Sequence, residues 1–325
     1  MTWLPWIGLG LCLVAACALG LAAYGAQRWD SAMLALTQRL DASRPAETAR
    51  PRPTTRYDSR ELDGLPAPVQ RYFRAVLKQG QPIIEAVTLE HVGMFNMSSA
   101  GEQWKPFAST QRVVTRRPGF IWNAKVGMFP GVAVRVLDNY VAGQGQLRAA
   151  VLGLVTMANV QGGGEIARGE FMRWFAEAAW YPTALLPSQG VSWEAVDEHS
   201  ANATVVDGPL SLTLLFGFDD AGLIVSVRAA ARGAGVGKDM VMLPWLCALS
   251  NYQPQQGMML PMAGEAAWLR PEGRKAYFRG TVRRMSVEFS RPPSSDSPTP
   301  APPGGIARPV PGPRRVVPVG APDAS

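Results

Sequence analysis

Side chains able to carry out chemistry are few in this sequence. It has two histidines, His91 and His199, and three cysteines, Cys12, Cys17 and Cys247. Cys12 and Cys17 lie in a long apolar run near the N-terminus, so Cys247 is alone in the rest of the chain. No disulfide can form within that rest, and no His/Cys group has the spacing of a zinc site. There is no Gly-x-Ser-x-Gly elbow to present a nucleophilic serine. His199 beside Ser200 is a sequence neighbour and reads as a surface histidine. The run Gly233-Ala234-Gly235-Val236-Gly237-Lys238 looks like a phosphate-binding loop. It fails that test, because Asp239 stands where Ser or Thr must hold magnesium and Arg232 stands where the first glycine belongs. The segment reads as a hairpin loop, and no cofactor is implied anywhere in the chain.

The carboxylates are more informative. Glu170, Arg173 and Glu177 share one face of a helix at positions i, i+3 and i+7. Buried, such a trio shifts proton affinities and suits acid/base work. Exposed, it is a solvated salt-bridge ladder, and the ladder is the expectation here. With Asp138, these glutamates are the acid/base candidates of a hydrolase-like reading, which requires all three to converge in one cleft. Trp122, Trp180, Trp193, Trp245 and Trp268 can line an apolar cavity or simply fill a core. For an amphipathic ligand, Arg173 or Arg232 is placed to meet a headgroup and Trp122 and Trp180 to line the chain site. Asp138 and Glu177 complete the candidate ligand-binding set.

The elements that must position these residues follow from periodicity. Residues 30–42 read as helical, with Met33, Leu34, Leu36 and Leu40 on a rough stripe. Leu65 to Gln79 reads as a second helix, opened by Pro66 and Pro68 and closed by Gly80. From residue 83 the period changes to two. Strands are expected at 85–95, 109–116, 119–127, 132–142 and 145–153, and then at 191–198, 201–207, 210–218, 222–231, 258–268 and 276–289. Gly162-Gly163-Gly164 precedes a helix running to about Trp180, which Pro182 stops. Asp207-Gly208 and Asp219-Asp220-Ala221-Gly222 are hairpin turns. The expected fold class is α+β and mainly antiparallel β. It is a curved, meandering, half-barrel-like sheet with one inserted helix, plus an N-terminal transmembrane helix.

No charged residue occurs from Trp3 to Ala26. At about 1.5 Å per residue this run crosses a hydrocarbon core of about 30 Å, and Trp3, Trp6, Tyr24 and Trp29 sit near its ends like interfacial aromatics. A permanent single-pass anchor through residues 3–26 in a bacterial cell membrane is the reading. A cleaved signal peptide and a lipoprotein signal ending at Cys17 are its alternatives. Arg28, Arg39 and Arg44 follow the run, and read literally they put the domain in the cytoplasm. Asp30, Asp41 and the amino terminus weaken that signal, so the side stays open. The net charge is +7, but the basic residues are scattered and no nucleic-acid partner is expected. The expected organisation is an anchor at 1–27, a helix and Pro/Arg linker at 28–56, a β-rich domain at 57–290 and a Pro-rich tail at 291–325.

Several stretches carry a resemblance. They are Leu65-Pro66-x-Pro68-Val69-x-x-Tyr72, Trp104-x-Pro106-Phe107 and Pro118-Gly119-Phe120-x-Trp122-x-Ala124, followed by Asp138-x-Tyr140-x-x-Gly143-x-Gly145. Further on come Arg173-x-x-x-Glu177-x-x-Trp180-x-Pro182-x-Ala184-Leu185-Leu186 and Gly257-x-x-x-Pro261 before Trp268. Over about residues 60–290 the chain resembles a bacterial, membrane-anchored family of unknown function, a resemblance that implies no activity. In the order of its elements it is also similar to the periplasmic lipoprotein-carrier half-barrel, which holds acyl chains. The leading functional expectation is a membrane-tethered domain that binds a lipid or acyl chain without catalysis. The alternatives are an envelope scaffold with a packed sheet and a protein partner, and the hydrolase-like enzyme.

Overall fold

The computed structural model describes residues 3–44, 54–98, 101–129, 131–236 and 239–291. Thirteen antiparallel strands form one sheet. The first six are β1 (Ile84–Asn96), β2 (Trp104–Val114), β3 (Gly119–Phe129), β4 (Val132–Val141), β5 (Gln144–Val151) and β6 (Val155–Gly162). The other seven are β7 (Ser192–Asp197), β8 (Ser200–Asp207), β9 (Leu210–Phe218), β10 (Ile224–Val236), β11 (Asp239–Gln255), β12 (Met258–Arg270) and β13 (Gly273–Phe289). Their order in the sheet is β6-β5-β4-β3-β2-β1-β13-β12-β11-β10-β9-β8-β7. The chain therefore enters at mid-sheet and meanders out to one edge. It then crosses to the opposite edge and meanders back until β13 pairs with β1. Every other pairing is a local hairpin, closed by turns such as Ala142-Gly143, where φ is 53° and 79° as a two-residue hairpin turn demands.

The crossing element is helix α3 (Gly164–Ala176), continued by 3₁₀ turns through Gln189. It lies inside the curve and touches β3, β4, β5, β6, β9 and β10, so it bridges both halves of the sheet. Helix α2 (Ala67–Val76) opens at Pro66 and Pro68 and buries Val69, Tyr72, Phe73 and Val76. These residues join the core, with Tyr72 against Phe218 and Phe73 against Trp193.

Helix α1 runs unbroken from Leu4 to Ala42. It is long and apolar enough to cross a membrane, a property that a signal sequence shares. Its first five turns are exposed, whereas its last turns lie on the convex face of the sheet. There Trp29 and Leu40 pack with Val114, Ile121, Leu137 and Val141 in a second, separate core. Trp29 Nε1 donates to Asn123 Oδ1 at 3.0 Å, and ion pairs Asp30–Arg135 (2.8 Å) and Asp41–Arg112 (3.1 Å) flank the apolar seam. Gly119 permits the approach, because a Cβ there would come within 2.7 Å of Leu40 Cδ1.

Two strands differ from the sequence reading. β6 and β11 were not expected, since Val155–Gly162 and Asp239–Gln255 have little strict alternation. β6 is an edge strand with both faces largely exposed. β11 carries prolines and polar residues that a hairpin partner on each side accommodates. The glycine run expected as a loop is also strand as far as Val236; Gly237 and Lys238 lie outside the described residues. So do the central part of the expected linker, residues 45–53, and the Pro-rich tail from 292.

Candidate functional site

Inward-pointing positions of β1 to β4 carry an unexpected number of polar side chains. His91 follows Val87 and Leu89 on the concave face, Ser109 and Gln111 alternate between Phe107 and Val113, and Asp138 precedes Tyr140. All are buried. Against them α3 presents Glu170, Arg173 and, at its C-terminal end, Glu177. The expected solvated ladder is thus overturned: Glu170 is 3% exposed and Glu177 9%. The reason is topological. A helix threaded inside a curved sheet has protein on both sides, so its polar face meets polar groups on the wall instead of water.

Arg173 is the centre of the cluster. Its Nη1 donates to Asp138 Oδ2 at 2.5 Å and its Nε to Glu177 Oε1 at 2.8 Å. Glu177 Oε2 accepts from Gln111 Nε2 at 2.6 Å. The guanidinium also lies 5.0 Å from the ring centre of Phe120 and 4.9 Å from that of Trp122, a cation–π sandwich in a dry site. The adjoining carboxylates hold its proton more tightly than usual, against the opposing effect of burial. Glu170 is raised as well, which for a carboxyl favours the neutral form. Burial pushes its carboxyl well above the usual range and the neighbouring Asp138 charge adds to this, with Arg232 and Arg173 opposing. Glu170 is therefore biased toward its neutral form beside the Asp138 carboxyl.

Arg232 forms the second basic pole. It is stacked 4.8 Å from Trp245 and 5.8 Å from Trp268. Its Nη1 reaches Tyr277 Oη at 3.3 Å, and the same hydroxyl accepts from Trp245 Nε1 at 2.9 Å. Trp180 donates to the Pro261 carbonyl at 2.7 Å and packs 5.1 Å from His91. Burial first, and then the Arg173 charge, depress the His91 imidazole to about 3, so it is neutral. Burial raises the Cys247 thiol to about 12, which makes it inert.

Around this cluster several buried polar atoms have no hydrogen-bond partner. They are both nitrogens of His91, Ser109 Oγ, Gln111 Oε1, Trp122 Nε1 and Arg232 Nε, while the Asp138 and Glu170 carboxyls face each other. Each such atom costs about 1–3 kcal/mol when it is left unpaired, so their concentration on one wall is unusual.

Of the residues predicted from sequence, Trp122, Asp138, Arg173 and Glu177 are in direct contact. Arg232 stands beyond Glu170, and Trp180 lies one helical turn past Glu177. His91, Ser109, Gln111 and Tyr277 were missed. Inward parity was the available signal for the first three, since a polar residue between two core hydrophobics on a strand points into the core. His199 is exposed and pairs loosely with Asp220 at 3.8 Å. Among the described residues, no group of three or more His, Cys, Asp or Glu is placed to hold a metal ion.

The fold and site define a half-barrel closed on an inserted helix, with a charged interior, carried on a long apolar helix. The chain belongs to a family of unknown function, DUF6920, whose model matches residues 63–287. No curated protein matches the sequence. Among solved structures it is similar to a LolA superfamily protein from Nitrosomonas europaea, with 8% identity and a TM-score of 0.35 over 69% of this chain and 93% of that one.

Proposed function

We propose that this protein is a membrane-tethered binder of an amphipathic ligand, a lipid or acyl chain with a polar head, and that the interior of the half-barrel is the site. The observation that carries this reading is the row of unpartnered buried donors and acceptors beside two arginines and an aromatic wall. Uncompensated polar groups are expensive in a core, and a ligand headgroup supplies the missing partners. In this reading Arg232 and the Asp138–Arg173–Glu177 cluster meet the head, while Trp122 and Trp180 border the chain. Residues 1–27 form a single-pass anchor in a bacterial membrane, and residues 57–290 form the binding domain. Tethering keeps a poorly soluble ligand near its source.

The test is lipid analysis of the full chain purified from cells in detergent, with native mass spectrometry and uptake of a fluorescent fatty acid. The expected result is one retained lipid class at near-stoichiometric level, lost together with fatty-acid uptake in Arg232→Met. Retention no greater than that of an unrelated single-pass protein, with no uptake, overturns the proposal.

One observation favours a second reading. Glu170, Asp138 and Glu177 do converge, and a Glu170 biased toward its neutral form beside a second carboxyl is the arrangement of an acid/base couple. Turnover of acyl ester or glycoside substrates that vanishes in both Glu170→Gln and Asp138→Asn supports it. Equal background rates in all three proteins refute it.

A further inference from the structure

Helix α1 ties one end of the sheet to the point where its exposed apolar segment stops. Tyr24 is its last strongly exposed aromatic residue. One residue later, Gly25 sits in backbone contact with the β5–β6 turn. A Cβ on Gly25 would meet the Leu152 carbonyl at 2.4 Å, and one on Gly153 would meet the Gly25 carbonyl at 2.7 Å. From Leu4 to Tyr24 is about 30 Å of helix, the thickness of a hydrocarbon core. The β5–β6 turn therefore lies level with the edge of any bilayer that this segment spans.

The same end of the sheet carries the β3–β4, β1–β2 and β12–β13 tips, as the pairings Phe129–Val132, Asn96–Trp104 and Arg270–Gly273 require. β11 projects further, because Trp245 already pairs with Trp268, two residues short of the end of β12. This rim is apolar and exposed. Phe129 is 71% exposed, Val155 66% and Met157 59%, and Met242, on the projecting part of β11, is 46% exposed. It is also basic. Lys105 Nζ lies 5.8 Å from the ring centre of Phe129. A groove of about 530 Å³ between the β1–β2 and β12–β13 tips is bordered by Arg270, Arg274, Lys275 and Arg279 against Glu102 and Glu272, with Arg274 and Arg279 both paired to Glu265.

We propose that this rim is a docking surface for the anionic phospholipid bilayer that α1 spans. Phe129, Val155 and Met157 dip into the interface while the basic groove meets lipid phosphates. The half-barrel then stands with this end on the membrane, held by α1 along its convex face, and does not swing freely on a tether. The proposal rests on the reading that α1 spans a bilayer, and continuity is its main support: the rim begins where the anchor ends. Exposed apolar tips flanked by lysine and arginine match the chemistry of an anionic interface.

The experiment uses the full chain with Cys12→Ala and Cys17→Ala, reconstituted in phosphatidylcholine/phosphatidylglycerol vesicles. A single environment-sensitive fluorophore is placed at Phe129→Cys, Val155→Cys, His199→Cys or, as an anchor control, Leu13→Cys. Brominated lipids quench probes that reach about 5–10 Å into the interface, so a roughly twofold or greater loss of emission is expected at 129 and 155 and none at 199. Pure phosphatidylcholine should weaken the effect at 129 and 155 and leave 13 unchanged. Quenching at 13 with none at 129 and 155 overturns the docking proposal and leaves the anchor standing. Absence of quenching at 13 overturns both.

Discussion

Replacing Arg173 by methionine tests the reasoning about the interior most directly. Methionine keeps much of the volume and the aromatic contacts but removes two charge-assisted hydrogen bonds, to Asp138 and Glu177. It leaves those carboxylates buried beside Glu170, with Gln111 still donating to Glu177 and Arg232 the remaining cation near Asp138. Breaking one side of a buried ion pair costs about 3–5 kcal/mol, a large share of the roughly 5–15 kcal/mol that holds a domain folded. With a slope of about 3 kcal/mol/M in urea, the unfolding midpoint falls by about 1–2 M at pH 7. The loss must also depend on pH. Arg173 is one of the two cations that oppose the rise of the Glu170 carboxyl, so without the guanidinium that carboxyl moves further up and the folded state holds a proton that the unfolded state has released. A group raised in this way contributes stability that is complete below its unfolded pKa and is lost as pH rises. The variant should therefore recover part of its midpoint at pH 5. Tryptophan fluorescence of the full chain in detergent reads the transition, with Arg173→Lys as the control that keeps the charge but not the fork. An Arg173→Met midpoint unchanged from wild type, or depressed equally at both pH values, refutes a buried cluster centred on Arg173.

Further outcomes follow from the same geometry. Glu170 is raised above its ordinary value in the native protein, so its contribution to stability is present at acid pH and declines as pH rises through its folded pKa. Glu170→Gln should flatten that decline in urea titrations between pH 5 and 8. His91 acts in the opposite direction. Its imidazole is depressed from 6.5 to about 3, so stability is lost as pH falls below 6.5, amounting to about 2 kcal/mol by pH 5. His91→Gln should remove that loss, and nitrogen NMR should show a neutral ring at pH 5. Trp29→Ala removes a hydrogen bond to Asn123, the stacking of Arg148 5.2 Å from its ring and most of the convex-face core. It should cost about 3–5 kcal/mol, with faster hydrogen exchange confined to Met33–Leu40 and the strands beneath. Gly93→Ala places a Cβ 1.9 Å from the Arg279 carbonyl. A sharp fall in thermal midpoint is expected, whereas Gly131→Ala, which has open space but a φ of 77°, should cost only about 1 kcal/mol.

Much of the architecture was legible in the sequence because it rests on local rules. Period-two alternation from residue 83, tight turns such as Asp207-Gly208 and an uncharged run of helix-spanning length each read out without knowledge of the partner. The helix after Gly164 was equally plain. What could not be read was which side of that helix faces water. Glu170, Arg173 and Glu177 have the spacing of a surface ladder, and amphipathicity assumes one wet face. Only the crossing of α3 from the β6 edge to the β7 edge, inside the curve, buries both faces and sets these residues against Asp138, Gln111 and Arg232. That arrangement joins residues up to 121 positions apart, from 111 to 232, and neither spacing nor propensity reports such a separation. The seat of α1 is similar. Its apolar stripe was visible, but its docking on Val114, Ile121 and Val141 depends on a convex face that exists only once β1 to β5 have paired. Local chemistry determined the elements, and the curvature of the closed meander decided which of their polar groups share a dry interior.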